Sequence, residues 1–204
     1  MKKLLALLTI AFLCLSASGC QKEDRYADVP NPIATFAMDD GSVMRVELYV
    51  RDAPNTVANF VSLANSGFYD GMDFYRVVPG CLIQAGDPVG DGTGGPGYSI
   101  KGEFSKNGVK NPVSHVRGVI SMARQSDYDS AGSQFFILQG SYPEYDGSYA
   151  AFGMLMDDES FQTLDAIATV HVDAHYAPVK KSTIETVRVD TMGYEYQPKT
   201  IKEN

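Results

Sequence analysis

Apolar residues in this chain come in short bursts, each closed by glycine, proline or a cluster of acidic residues. That punctuation limits the fold to many short strands with few helices. From Val43 to Val50, Met44, Val46 and Leu48 alternate with Arg45, Glu47 and Tyr49, the period of a strand with one buried face. Ile33 to Met38 reads as its partner, and Asp39-Asp40-Gly41 between them is a hairpin turn. A helix follows, with Asp52 as candidate N-cap and Pro54 in the first turn. Val57, Phe60, Val61 and Ala64 share one face, and Gly67 supplies the stop. Further strands are expected at Phe74 to Val78, Leu82 to Ala85, Gly118 to Met122, Gln134 to Leu138, Ala150 to Met154 and Thr183 to Val189. A second helix is expected from Ser160 to Val170, and an irregular loop from Gly86 to about Asn111. Many short strands with two helices in one unit predict a mainly β fold, a closed β-barrel with helices over its ends.

The 204 residues suit one domain with a sizeable core, here placed at residues 32–191. Residues 192–204 form a polar tail expected to be loose. The formal charge of -8 argues against nucleic acid, whose phosphates need a basic face.

Residues 1–19 have the pattern of an export signal. Lys2 and Lys3 precede an apolar run from Leu4 to Leu15, too short to span a bilayer. Ser16-Ala17-Ser18-Gly19-Cys20 resembles the bacterial lipobox, which implies cleavage before Cys20 and its acylation, and so a lipid anchor in the bacterial cell envelope. Ala17 stands where that motif usually has Leu. Residues 20–31 are polar and read as a tether. Gln21-Lys22-Glu23-Asp24 is similar to a signal that some Gram-negative bacteria use for the outer face of the outer membrane; a solvated linker is the alternative. With Cys14 removed and Cys20 acylated, Cys81 has no partner, so no disulfide framework is expected.

Three motifs invite chemistry that their context does not support. Gly90-Asp91-Gly92-Thr93-Gly94-Gly95 satisfies G-x-G-x-x-G, but Pro96 and Gly97 block the helix that a dinucleotide site would need. His171 and His175 are four apart with no third ligand, so no metal site is expected. His115 precedes a strand with no Ser or Cys partner evident, which leaves a hydrolytic triad unsupported.

Four stretches, in order, resemble the cyclophilin family: Ala53-Pro54-Asn55-Thr56-Val57-Ala58-Asn59-Phe60; Phe74-Tyr75-Arg76-Val77-Val78-Pro79-Gly80-Cys81-Leu82-Ile83-Gln84-Ala85-Gly86-Asp87-Pro88; Arg117-Gly118-Val119-Ile120-Ser121-Met122-Ala123-Arg124; and Gly132-Ser133-Gln134-Phe135-Phe136-Ile137. Tyr145-Asp146-Gly147 and Phe152-Gly153 stand where the family usually continues with Leu-Asp-Gly and Phe-Gly. The resemblance runs from about Pro32 to Val189. It implies an eight-stranded antiparallel barrel capped by two helices and a peptidyl-prolyl cis/trans isomerase acting as a monomer without a cofactor. The implied partners are proline-containing, unfolded or flexible protein segments, with cyclosporin A as a possible inhibitor.

By the same resemblance Arg76 is the catalytic cation and Gln84 holds the substrate backbone. Leu82, Phe136, Tyr145 and Cys81 wall the proline pocket. Met122, Ala123, Arg124 and Gln125 form a groove edge, with Gly92, Gln134 and Tyr149 as neighbouring contacts. The chemistry suits an arginine: amide rotation costs roughly 18–20 kcal/mol because resonance is broken. A fixed cation that donates to the proline nitrogen as it regains its lone pair stabilises only the twisted state. Departures from the pattern fall in the pocket. Cys81 replaces a usual Phe, a loss of about 1–2 kcal/mol of apolar contact, so Cys81→Phe is expected to tighten binding. Arg124 and Gln125 replace smaller residues, Glu144 stands for an aromatic or His, and Tyr149 for a common His. The altered floor motivates a second reading, a non-catalytic proline-peptide-binding chaperone or scaffold. A nutrient-capture lipoprotein has only the anchor in its favour.

Overall fold

The hairpin expected near the N-terminus forms as β1 (Ile33–Met38) and β2 (Val43–Leu48), antiparallel with Ala34 opposite Val46 and Phe36 opposite Met44. The computed structural model describes Tyr26 and residues 28–202; the signal segment, Cys20 and the tether as far as Arg25 lie outside the described residues. The strands β3 (Arg76–Val78), β4 (Leu82–Ala85), β6 (Val119–Met122), β7 (Phe135–Leu138), β8 (Ala151–Leu155) and β9 (Ile184–Asp190) complete an eight-stranded antiparallel sheet. Its order is β3-β4-β7-β6-β8-β2-β1-β9. The strands are those expected, trimmed or shifted by one or two residues at the ends. Closure is partial: β3 and β9 share no ladder. Their seam carries the bridge Asp73↔Thr183, with Phe74 N donating to Ser182 O (3.0 Å) and Ile184 N to Met72 O (2.8 Å).

Strand periodicity sorts the side chains into two apolar layers. Inward residues, among them Phe36, Val77, Ile83, Ile120, Met122, Phe135 and Ile137, join Phe60, Tyr69, Phe74 and Phe152 in the main core. Phe60 and Phe135 pack edge to face at 5.7 Å, and each buried ring contributes roughly 1.5–3 kcal/mol. Outward residues of the same strands, Leu82, Val119, Phe136 and Leu138, make a second, smaller cluster. Burial on both faces explains why β7 reads as the unbroken apolar run Phe135-Phe136-Ile137-Leu138.

Two helices cover the barrel. α1 (Pro54–Asn65) buries Val57, Phe60, Val61 and Ala64 as its periodicity predicts and packs on β9. Asp52 is not its cap. Ala53 occupies that position and makes no side-chain bond. Pro54 has no N–H, Val57 N reaches Ala53 O, and the two donors between them, Asn55 N and Thr56 N, are taken by the Glu103 carboxylate at 3.1 and 2.7 Å. α2 (Asp158–Ala168) starts two residues earlier than expected, because Asp157 accepts from Ser160 N at 2.9 Å.

The loop after β4 and the C-terminal tail are more ordered than their composition suggests. β5 (Tyr98–Ile100) lies inside the loop and pairs with β10 (Thr200–Lys202), Ile201 opposite Ser99. Lys199 and Asn55 exchange two hydrogen bonds, and Tyr196 is buried and stacked on Tyr26 at 5.9 Å. The tail is therefore docked, not loose. Tyr26 and Val29, within the expected tether, are buried as well.

Candidate active-site groove

Registers in the sheet place the site. Arg76 on β3 lies opposite Gln84 on β4, Gln84 opposite Phe136 on β7, and Phe136 opposite Ser121 on β6. All four point out of the barrel, so a single row crosses four strands. Arg76 Nη1 donates to Gln84 Oε1 at 3.1 Å. Gln84 Nε2 donates to Tyr75 Oη (2.5 Å) and to Gln134 Oε1 (3.1 Å), and Tyr75 Oη donates to the same Gln134 oxygen at 2.6 Å. Gln134 Nε2 then donates to the carbonyls of Gly92 (3.1 Å) and Gly94 (2.9 Å). Burial pushes the Tyr75 phenol up to about 12, so it remains a neutral donor at physiological pH.

The glycine-rich loop is folded around one carboxylate. Asp87 accepts from Val89 N, Asp91 N and Gly92 N at 2.8, 3.2 and 2.5 Å. A Cβ at Gly94 would sit 2.1 Å from Asp87 Oδ1, so only glycine fits there.

Beside the row is a cavity of about 240 Å³ lined by Arg76, Leu82, Gln84, Ala123, Arg124, Phe136, Tyr145 and Tyr149. It opens next to a groove of about 470 Å³ that Arg76 and Gln84 share with Gly92, Tyr98, Gln125 and Gln134. Eleven of the twelve groove residues singled out in the sequence thus lie in or beside one continuous depression. Met122 is the exception, since alternation turns its side chain into the barrel core. Cys81 is adjacent but lines neither cavity. Its Sγ lies 3.9 Å from Tyr145 Oη, and Tyr145 stacks on Tyr142 at 5.6 Å. Glu144 is exposed. Arg124 is fixed by Nε and Nη2 donating to Ser148 O (3.1 and 2.9 Å), over the rings of Tyr128 and Tyr149 at 4.8 and 4.9 Å.

Behind the aromatic wall, His115 has the serine partner that its sequence context did not reveal. A carboxylate can only accept, so Nδ1 carries the proton toward Asp146 Oδ1 (2.9 Å) and Nε2 accepts from Ser121 Oγ (3.0 Å). Burial lowers the His115 pKa. Ser121 is fully buried and no substrate can reach it, so the trio braces the wall and is not a nucleophile. His171 and His175 fall beyond the end of α2, not on a helix. Tyr75 was missed in the sequence reading; its place between Arg76 and the barrel-facing Phe74 was the available signal.

The outer face of the antiparallel barrel thus carries an arginine–glutamine pair beside an aromatic pocket. The family profile described as cyclophilin type peptidyl-prolyl cis-trans isomerase/CLD matches residues 33–189. Peptidyl-prolyl cis-trans isomerase B of Bacillus subtilis is 47% identical over 126 residues, covering 62% of this chain and 85% of the relative. A peptidyl-prolyl cis-trans isomerase of Helicobacter pylori is 44% identical over 134 residues, covering 66% and 78%. Among solved structures, a cyclophilin type isomerase of Cryptosporidium parvum superposes with a TM-score of 0.71 at 29% identity, covering 78% of this chain and 98% of the other. The same enzyme solved in the presence of the dipeptide ala-pro gives 0.69 at 30% identity, with the same coverage. The chain belongs to the cyclophilin-type peptidyl-prolyl cis-trans isomerases.

Proposed function

We propose that the groove takes a proline-containing segment of an unfolded or flexible protein, seats the proline ring against Phe136, Leu82 and Tyr145, and lets Arg76 donate to the proline nitrogen as the bond twists. The observation that carries this reading is the cross-strand pair Arg76–Gln84 at the lip of the aromatic cavity. Tyr75 and Gln134 take both Nε2 hydrogens of Gln84, so Gln84 holds a substrate carbonyl by exchanging one of those bonds for it while the far side rotates. A related enzyme was solved with ala-pro present, which supports a proline ligand here. Cyclosporin A is a proposed ligand of the same surface. The test is protease-coupled isomerisation of an Ala-Pro peptide by the protein lacking its lipid. Acceleration over the uncatalysed rate supports catalysis; binding without acceleration would make the groove a chaperone or scaffold module.

The pocket floor differs from the expectation that Cys81 forms it. Tyr145 occupies the cavity wall, and Cys81 packs beside its hydroxyl. Cys81→Phe is therefore expected to overpack, costing about 1–3 kcal/mol and lowering Tm by roughly 2–10 °C without tighter binding. Tighter peptide binding at unchanged Tm would return Cys81 to the floor.

We further propose that the enzyme assists folding in the cell envelope as a monomer held by lipid on Cys20. Five residues separate Cys20 from Tyr26, six steps along the chain, and Arg51 and Tyr196 hold Tyr26 on the domain. At most ~3.6 Å per residue keeps the domain within about 20 Å of the anchor. Labelling with a fatty-acid analogue is expected to tag the wild type and spare Cys20→Ala. Labelling of neither would place the protein in a soluble exported pool, and equal labelling of both would move the lipid to another residue.

A further inference from the structure

We infer that Tyr176 is a positioning residue for Arg76; the inference rests on the isomerase reading of the groove. Tyr176 is at the tip of a hairpin that follows α2, closed by the bridge Val172↔Pro178 and by Asp173 N donating to Ala177 O at 2.9 Å. The Asp173 side chain ties the tip by accepting from His175 N (2.8 Å) and Ala177 N (3.0 Å). Val77 N donates to Tyr176 O at 2.8 Å, which docks the tip on β3 one residue from Arg76.

Two observations single out the side chain. Its φ is +65°, in the left-handed region that glycine and asparagine enter more easily than tyrosine. The residue is 46% exposed, so burial does not account for a tyrosine there. What the ring does touch is Arg76, whose Cζ lies 5.9 Å from its centroid. Strained residues kept in place next to a site point to a role for the side chain.

The need for such a contact follows from the guanidinium's other partners. Gln84 Oε1 accepts one of its hydrogens, and no carboxylate among the described residues lies within ion-pair distance. A carboxylate would fix the side chain but neutralise its charge and occupy the donors that the substrate needs. An aromatic face fixes the cation and takes no N–H. Gln84 on one side and Tyr176 on the other thus narrow the rotamers of Arg76 and leave its remaining donors free, the pre-positioning that catalysis requires.

Two variants separate this from a structural role. Tyr176→Asn suits the left-handed backbone but removes the ring; Tyr176→Phe keeps the ring and loses only the hydroxyl. In steady-state kinetics on an X-Pro peptide, Tyr176→Asn is expected to lower kcat about three- to tenfold, the range of a cation–π contact, with KM within about twofold. Its Tm should be unchanged or higher. Tyr176→Phe should keep kcat within about twofold of wild type. Wild-type kcat in Tyr176→Asn, an equal loss in Tyr176→Phe, or a rise in KM alone would each overturn the inference. An inactive wild type would instead overturn the isomerase reading, and the inference with it.

Discussion

Arg76→Ala is expected to lower kcat/KM on an Ala-Pro peptide by at least about tenfold, a loss of ~1.4 kcal/mol or more of transition-state stabilisation. Circular dichroism and Tm should stay at wild-type values. The side chain projects from the outer face of the barrel, donates to Gln84 and lies over the Tyr176 ring, and it is not part of the main core, so core packing is kept. In the planar ground state the proline nitrogen's lone pair is delocalised and accepts poorly; in the twisted state it is localised and accepts well. The donor therefore acts on the barrier more than on binding, and the loss should fall mainly on kcat. Lysine should restore only part of the rate, since an ammonium lacks the fork that lets one guanidinium contact Gln84 and substrate together. An unchanged rate in Arg76→Ala would remove the mechanism.

Much of this arrangement was legible because strands have a period of two. Once Arg76-Val77-Val78 and Leu82-Ile83-Gln84 are read as a hairpin around Pro79-Gly80, Val77 and Ile83 must face the core, and Arg76 and Gln84 share the outer face. The same rule could have removed Met122 from the groove, because it is in phase with buried Ile120. The resemblance puts Phe136 in the pocket wall. It is buried in the outer cluster and lines the cavity, as the register with Gln84 requires.

What the sequence hid are contacts that bring distant loops together. Tyr176 is 100 residues from Arg76 and joins it through a hairpin whose composition shows no pairing. His115, Ser121 and Asp146 meet only because β6 and the turn near Tyr145 lie side by side. The tail looked loose because its residues are polar. Its order comes from backbone pairing with β5 and from one tyrosine stack, neither of which depends on apolar periodicity.

Glu103→Ala is expected to cost about 2–4 kcal/mol and to lower Tm by roughly 5–15 °C, at ~2–4 °C per kcal/mol for a domain of this size. α1 has no cap of its own, and Asp52, the candidate nearest in sequence, does not serve. Glu103, 47 residues away from Thr56, accepts from Asn55 N, Thr56 N and Thr56 Oγ, and its charge sits at the positive end of the helix. Each buried donor left alone costs about 1–3 kcal/mol; Asn55 is half-buried, so water can reach its N–H and the total falls below the simple sum. The helix also supports the groove: Asn59 donates to Gly132 O and accepts from Tyr98 Oη, both at 2.8 Å and both in the groove wall. Activity should therefore fall at temperatures below the melting transition. Glu103→Gln keeps one acceptor and should cost less. It also tests the electrostatics. Burial raises the Glu103 pKa above the usual carboxylate range, and the hydrogen bonds from Thr56 and Asn55 pull against it without winning. A folded pKa above the unfolded one means stability that is fully present below the unfolded value and lost as pH rises through the folded value. The stability advantage of wild type over Glu103→Gln should accordingly shrink as pH rises from the unfolded carboxylate value, about 4.3, through the higher folded one. Melting curves for wild type and both variants across that range decide it. A wild-type Tm in Glu103→Ala would show that water caps the helix equally well, and an advantage that grows with pH would show that the charge interaction outweighs desolvation.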